Sequence, residues 1–246
     1  MTDVKQQQTA KKNLWLPLES NPDVMNEYIH KLGVSNSWAY TDVWGLDLEL
    51  LAMIPQPVKA VLLLFPITEN HEKYNKELIE KTLASTSSTS VISSLPDLVF
   101  FKQTISNACG TIGLLHSLAS NTDTIEIGDG PLKRLLDKSK DLTPDERAKV
   151  LEEDEELAKI HQSQALSGQT RVPGEHEDVN LHFTCFIVKN GTLYELDGRK
   201  PFPISHGPST DLLQDATKVI KKEFMEREVG NLQFTVIALA PNQNPS

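Results

Sequence analysis

The stretch that most restricts the fold is Val58–Phe65, VKAVLLLF, an apolar run closed at both ends by prolines, Pro57 and Pro66. Proline offers no N–H to a hydrogen-bond ladder and ends a helix, so so short a run between two of them reads as a strand. It lacks polar alternation, which means burial on both faces and therefore packed layers on either side of a sheet. The composition supplies those layers. Hydrophobic residues make up 39% and charged residues 24% of 246 residues, enough for one large packed domain and too apolar for wholesale disorder.

The rest of the chain alternates between helical and extended signals. Asn21-Pro22 opens a helix whose apolar positions Val24, Met25, Tyr28, Ile29 and Leu32 recur at helical spacing, and Gly33 closes it. Residues 69–85 read as a polar helix, Ser85–Ser94 as a Ser/Thr-rich loop, Leu98–Gln103 as a second apolar strand and Trp15–Leu18 as a short one. Ser106 or Asn107 is placed to cap a helix through Leu118, on which Ile112, Leu115, His116 and Ala119 share a face. Thr143-Pro144-Asp145-Glu146 opens another, running to about Ile160 with the acidic run Glu152–Glu156 as a solvated face. Ser163–Asn180 contains Gly168, Pro173 and Gly174 without apolar period and reads as a long surface loop. Asn190-Gly191 between Leu181–Lys189 and Thr192–Asp197 is a hairpin signal. Asp211–Arg227 reads as a helix and Leu232–Leu239 as the last strand. The fold class is α/β (α+β), with residues 1–12 as a polar tail and 13–241 as a single domain.

Charge and cysteine usage narrow the function classes. The net charge of −10 argues against nucleic acid as a bulk partner and suits a basic one. No run approaches the roughly 18 apolar residues of a membrane span, and the first residues have no apolar signal region. Cys109 and Cys185 form neither a disulfide framework nor a CxxC metal pair. The expectation is a monomer with reduced thiols, cytoplasmic or also nuclear, without membrane association, cofactor or metal.

One nucleophile stands out. Cys109 falls in the first turn of its helix, where the dipole and unpaired N–H groups favour thiolate, and Gly110 leaves room for a substrate. Taken alone it reads more readily as a packed thiol. A two-residue Asn190-Gly191 turn pairs Lys189 with Thr192 and Thr184 with Asp197. His182 then lies on the same face as Asp197 as a diagonal neighbour, close enough for a carboxylate to orient an imidazole. Alone, His182 is also a half-buried strand histidine and Asp197 a turn residue before Gly198. Cys185 lies on the opposite face from His182 and reads as core, as does His116 on its apolar helix face.

Gln103-Thr-Ile-Ser-Asn-Ala-Cys109-Gly110-Thr111 closely resembles the active-site segment of the ubiquitin C-terminal hydrolases. So do Leu181-His182-Phe183 and Leu193-Tyr-Glu-Leu-Asp197-Gly-Arg-Lys-Pro-Phe-Pro-Ile204. Trp15-Leu-Pro-Leu-Glu19 and Val61-Leu-Leu-Leu-Phe-Pro-Ile-Thr68 are similar to further landmarks of the family, and the resemblance runs from about Trp15 to Ala240. It is nearest to the short, single-domain L-type members. The resemblance implies a papain-like cysteine peptidase core with an antiparallel sheet between helices and a knotted chain. It also implies Cys109 as nucleophile, His182 as base, Asp197 as its orienter and Gln103 as oxyanion donor. By the same resemblance, Ser163–Asn180 is a crossover loop over the active site that admits a narrow tail and a small leaving group. Asp42 and Glu19 match positions suited to the arginines of the ubiquitin tail, Val179 and Leu181 to contacts with that tail, and Pro17 to the body of ubiquitin. The implied activity is removal of small adducts or short peptides from the C-terminal glycine of ubiquitin. A ubiquitin-holding module, or a hydrolase preferring a modifier such as NEDD8, remains as an alternative.

Overall fold

The computed structural model describes residues 15–85, 98–169 and 179–245. The expected tail, nearly all of the Ser/Thr-rich loop and half of the long loop expected over 163–180 lie outside the described residues. In chain order the elements are α1 (Pro22–Lys31), β1 (Trp38–Asp42), α2 (Leu48–Leu51), β2 (Ala60–Pro66), α3 (Glu69–Ser85), α4 (Cys109–Ala119), α5 (Pro131–Ser139), α6 (Pro144–Glu152) and α7 (Glu155–Ala165). There follow β3 (Leu181–Lys189), β4 (Thr192–Leu196), β5 (Ile204–Pro208), α8 (Leu212–Val219), a π-helical turn (Ile220–Met225) and β6 (Thr235–Pro241).

The proline-bounded run becomes β2, inside a six-stranded sheet of order β1-β6-β2-β3-β4-β5 in which every pair is antiparallel. Strand alternation sends its side chains into two separate cores. Ala60 and Leu62 join Phe183, Cys185 and Ile187 against Met25, Tyr28, Leu114, Leu135 and Leu157 of the helices on one face. Val61, Leu63 and Phe65 join Phe186 and Val236 against Leu213, Ala216, Ile220 and Phe224 on the other. Helices therefore cover both faces, as a strand apolar on both sides requires. Each fully buried leucine or phenylalanine contributes about 1.5–3 kcal/mol, so neither layer is dispensable.

Local chemistry explains the element boundaries. The Asn21 side chain accepts from the Asp23 N–H at 2.9 Å, and Gly33 takes φ +98° to close α1. Thr143 and Glu146 form a complete capping box at α6. The Asn190-Gly191 turn pairs Lys189 with Thr192 and Cys185 with Leu196, the expected register.

Several sequence expectations are corrected. The helix from Thr143 does not run to Ile160. It stops at Glu152, and Asp154 starts α7 by accepting from the Leu157 N–H at 2.9 Å, so the acidic run straddles a joint. Leu98–Gln103 is no strand, because its N–H groups find partners outside the sheet. Phe101 N–H donates to His116 Nε2 at 3.0 Å and Gln103 N–H to the Gly198 carbonyl at 2.8 Å. Trp15–Leu18 is no strand either; Trp15 N–H donates to the Ser106 carbonyl at 3.1 Å. Neither Ser106 nor Asn107 caps α4, where Ala108 is the cap residue and Asn107 adopts φ +61°. That helix is buried all round from Gly110 to Ala119 rather than along one face. The final strand starts at Thr235, and Leu232 is exposed. The long loop is shorter than expected, since α7 extends to Ala165.

Candidate active site

Cys109 is the first residue of α4 and is partly buried. With no side chain capping this end, the first-turn N–H groups stay available to a negative charge. The segment 15–18 lies against the helix start: a Cβ on Gly110 would come within 2.8 Å of Leu18 Cβ. His161 on α7 holds that segment, donating from Nε2 to the Leu16 carbonyl at 2.7 Å. Its Nδ1 accepts from the Thr111 hydroxyl at 2.8 Å.

Helix α4 packs on β3, which carries His182. The hairpin brings Asp197, just beyond β4, to His182, and Nε2 donates to Asp197 Oδ1 at 2.7 Å. Both side chains are almost fully enclosed, at 3% and 2% exposure. The same Oδ1 accepts the Arg199 backbone N–H at 2.9 Å. With Nε2 committed to the carboxylate, Nδ1 is the ring nitrogen left for the thiol. Burial by itself would push the imidazole down; the charge and hydrogen bond of Asp197, aided by Cys109, reverse this and raise it to about 10. Burial would likewise push the Cys109 thiol up. Hydrogen bonding and charge from His182, with the Phe183 and Gly110 backbone N–H groups, hold it below its ordinary value. Both directions favour a thiolate beside an imidazolium. For Asp197, burial is outweighed by His182, Lys200 and the Arg199 N–H, which keep it well below the usual carboxylate range.

Gln103 is tied to the same turn. A Cβ on Gly198 would approach Ile112 Cγ2 to 2.8 Å and Gln103 Cβ to 3.0 Å, so only glycine lets the two segments meet. The Gln103 amide donates from Nε2 to the Ile105 carbonyl at 3.2 Å, while its Oε1 is buried without a partner among the described residues. The sequence-predicted Cys109, His182 and Asp197 thus meet at one end of the sheet, with Gln103 joined to the Asp197 turn. Cys185 is in the core, away from them, and His116 is a packed residue whose Nδ1–H donates to the Leu196 carbonyl at 3.1 Å.

The outer positions fall in two groups. Val179 and Leu181 are partly exposed and lead into His182 along the chain, with the Asn180 carbonyl fixed by the Ile67 N–H at 2.7 Å. Pro17 is partly buried in the segment clamped by His161. Glu19 accepts from Asn21 Nδ2 at 3.4 Å, and a Cβ on Gly168 would collide with its carboxylate. Asp42 ends β1 near Asp23, and burial together with that second carboxylate raises its own. Asp23 was not singled out from the sequence, although its place in the first turn of α1 is a mild signal.

The sequence reading also missed a buried polar cluster. Glu195 on β4 pairs with Lys200 Nζ and, at 3.0 Å, with His206 Nε2 on β5. Burial would raise the Glu195 carboxyl, yet Lys200 and His206 bring it down to about 2. A cavity of about 320 Å³ opens between α3 and this region, bordered by His71, Asn75, His182, Asp197 and Lys200.

Comparison with known proteins gives one consistent answer. Residues 15–226 match the family described as ubiquitin carboxyl-terminal hydrolase, family 1. A Drosophila melanogaster ubiquitin carboxyl-terminal hydrolase is 47% identical over 232 residues, covering 93% of this chain and 98% of its own. Isozyme L1 from Rattus norvegicus is 46% identical over 226 residues, covering 91% of this chain and 96% of its own. Among solved structures, the Trichinella spiralis UCH37 catalytic domain, bound to ubiquitin vinyl methyl ester, is similar with a TM-score of 0.71. It is 25% identical, and the match covers 93% of this chain and 96% of that one.

Proposed function

Because the chain belongs to family 1 of the ubiquitin carboxyl-terminal hydrolases and is therefore a cysteine-type deubiquitinase, we propose that Cys109 attacks the carbonyl carbon of the C-terminal glycine of ubiquitin. The observation that carries this reading is the enclosed 2.7 Å bond from His182 Nε2 to Asp197, which reserves Nδ1 for the thiol. The thiolate adds to the carbonyl, and the oxyanion takes hydrogen bonds from the Cys109 backbone N–H and the Gln103 side chain, about 3 kcal/mol per donor. His182 hands its proton to the departing amine as the tetrahedral species collapses to a thioester. It then takes a proton from water, whose oxygen attacks the thioester and frees the ubiquitin carboxylate and the thiolate.

Selectivity follows from what reaches the thiol. The chain between α7 and β3, residues 166–180, is fixed at both ends and offers roughly 50 Å of contour. Such a span fits a slender tail and small leaving groups, short peptides or small adducts, rather than folded ones. Glu19, Asp23 and Asp42 form an acidic neighbourhood for a basic tail. Val179, Leu181 and Pro17 are its apolar neighbours. The test is hydrolysis of ubiquitin carrying a fluorogenic C-terminal amide, beside the same amide of NEDD8, with wild type and Cys109→Ala. Wild-type turnover that Cys109→Ala abolishes, and that favours ubiquitin, is the expected result. Full activity in Cys109→Ala would remove Cys109 as nucleophile. Tight ubiquitin binding without turnover in the wild type would make this chain a holding module.

A further inference from the structure

The polar cluster behind the catalytic pair has no part in the steps above. Glu195 and Asp197 are two residues apart, and alternation along β4 puts both carboxylates on the face that also receives Leu193. They are 1% and 2% exposed. Two buried carboxylates so close disfavour each other's ionisation unless a cation is set between them. Lys200 is that cation. It is 3% exposed, its Nζ sits on Glu195 Oε1, and its backbone N–H donates to the Asp197 carbonyl at 2.9 Å. Arg199 stands nearer to solvent, and its guanidinium is engaged by Glu72 Oε1 at 2.7 Å.

We propose that Lys200 is a positioning residue for the reaction: seated on Glu195 beside Asp197, its ammonium cancels the Glu195 charge, so that His182 responds to the single carboxylate of Asp197. The proposal rests on the reading of Cys109, His182 and Asp197 given above. Without Lys200, the Glu195 carboxylate would be left with the His206 bond alone, and His182 and Cys109 would face more buried negative charge. The imidazolium would then be held more tightly and the thiolate less well, and both ends of the pH profile would move up. Without Glu195, the uncancelled ammonium would move them down. The other ionisable groups facing the cluster are Cys109 on α4, His206 on β5, and His71, Glu72 and Lys76 on α3. Glu80 and Arg199 complete the rim of the cavity, and Tyr74 and Glu223 lie behind it. None of these is substituted in the variants below, and the His206 bond to Glu195 Oε2 stays in place in Lys200→Met, so the upward shift reads Lys200.

The experiment is the pH dependence of Cys109 alkylation by iodoacetamide in the full chain, followed by mass spectrometry at Cys109. It compares wild type, Lys200→Met, Glu195→Gln and the double variant. The expected midpoint rises by about half a unit in Lys200→Met, falls by a similar amount in Glu195→Gln and returns to the wild-type value in the double variant. Loss of packing gives no shift of opposite sign in the two single variants. Equal midpoints in all four proteins, or shifts of one sign, would overturn the proposal. If Lys200→Met does not fold, the downward shift in Glu195→Gln decides alone. Failure of the underlying catalytic reading looks different: the wild-type midpoint itself would lie at an ordinary thiol value, and Cys109→Ala would keep its hydrolase activity.

Discussion

One oxygen of Asp197 accepts both the His182 Nε2–H and the Arg199 backbone N–H, so this side chain fixes the tautomer of the base and the shape of its own turn. Asp197→Asn keeps the shape but offers His182 no charge. Turnover of the ubiquitin amide should fall about 10²–10⁴-fold, and burial, no longer opposed, should lower the imidazole. The linkage has a definite sign. His182 titrates near 10 in the folded protein against an ordinary 6.5, so its stabilisation is complete below about 6.5 and is lost as pH rises through 10. Wild-type melting temperature should therefore decline from pH 7 to 10, and the Asp197→Asn curve should be flatter; thermal melts across that range check it. At this scale the meeting of His182 and Asp197 was legible because hairpin register is set by two residues, Asn190 and Gly191. Lys200 and Glu195 were not legible. A lysine just after a turn looks solvated on a linear chain, and only the fold, with β5 beside β4 and α3 across the cavity, encloses it.

Between the elements, the joints matter more than the elements themselves. His116 on α4 takes the Phe101 N–H and gives its own Nδ1–H to Leu196, so a side chain bridges an irregular segment to a strand. That is why Leu98–Gln103 has a strand's composition without joining the sheet. The break between α6 and α7 was equally hidden, because Asp154 continues a helical pattern as well as it caps a new helix. Helix α5 went unread, although Pro131 is a good first helical residue. Two substitutions separate a joint that bears on chemistry from one that does not. Gly198→Ala drives a methyl into Ile112 and Gln103, and should cost about 1–3 kcal/mol and lower kcat about tenfold. Thr143→Ala removes the capping box of α6 and should cost about 1 kcal/mol with kcat unchanged. Thermal melts beside steady-state kinetics check both.

Over the whole molecule, a charge of −10 and the carboxylates of Glu19, Asp23 and Asp42 attract a basic polypeptide before contact. Raising salt from roughly 20 mM to 500 mM should raise KM for the ubiquitin amide several-fold and leave kcat nearly constant, because the enclosed His182–Asp197 pair is poorly screened. Initial-rate kinetics over a salt series check this. The two-faced burial of β2 was readable from its composition, but its neighbours were not, since β6 arrives from far along the chain to separate β1 from β2. That order has a consequence for synthesis. Cys109, His182 and Asp197 all leave the ribosome before Thr235–Pro241, the strand that ties β1 to β2. Until that strand is made, β1 has no strand partner and β2 presents an open, apolar edge, the kind of edge that invites pairing with another nascent chain. The enzyme is thus born with every reactive group in place and its sheet still in two pieces, and chaperone demand should be greatest just before its final strand emerges.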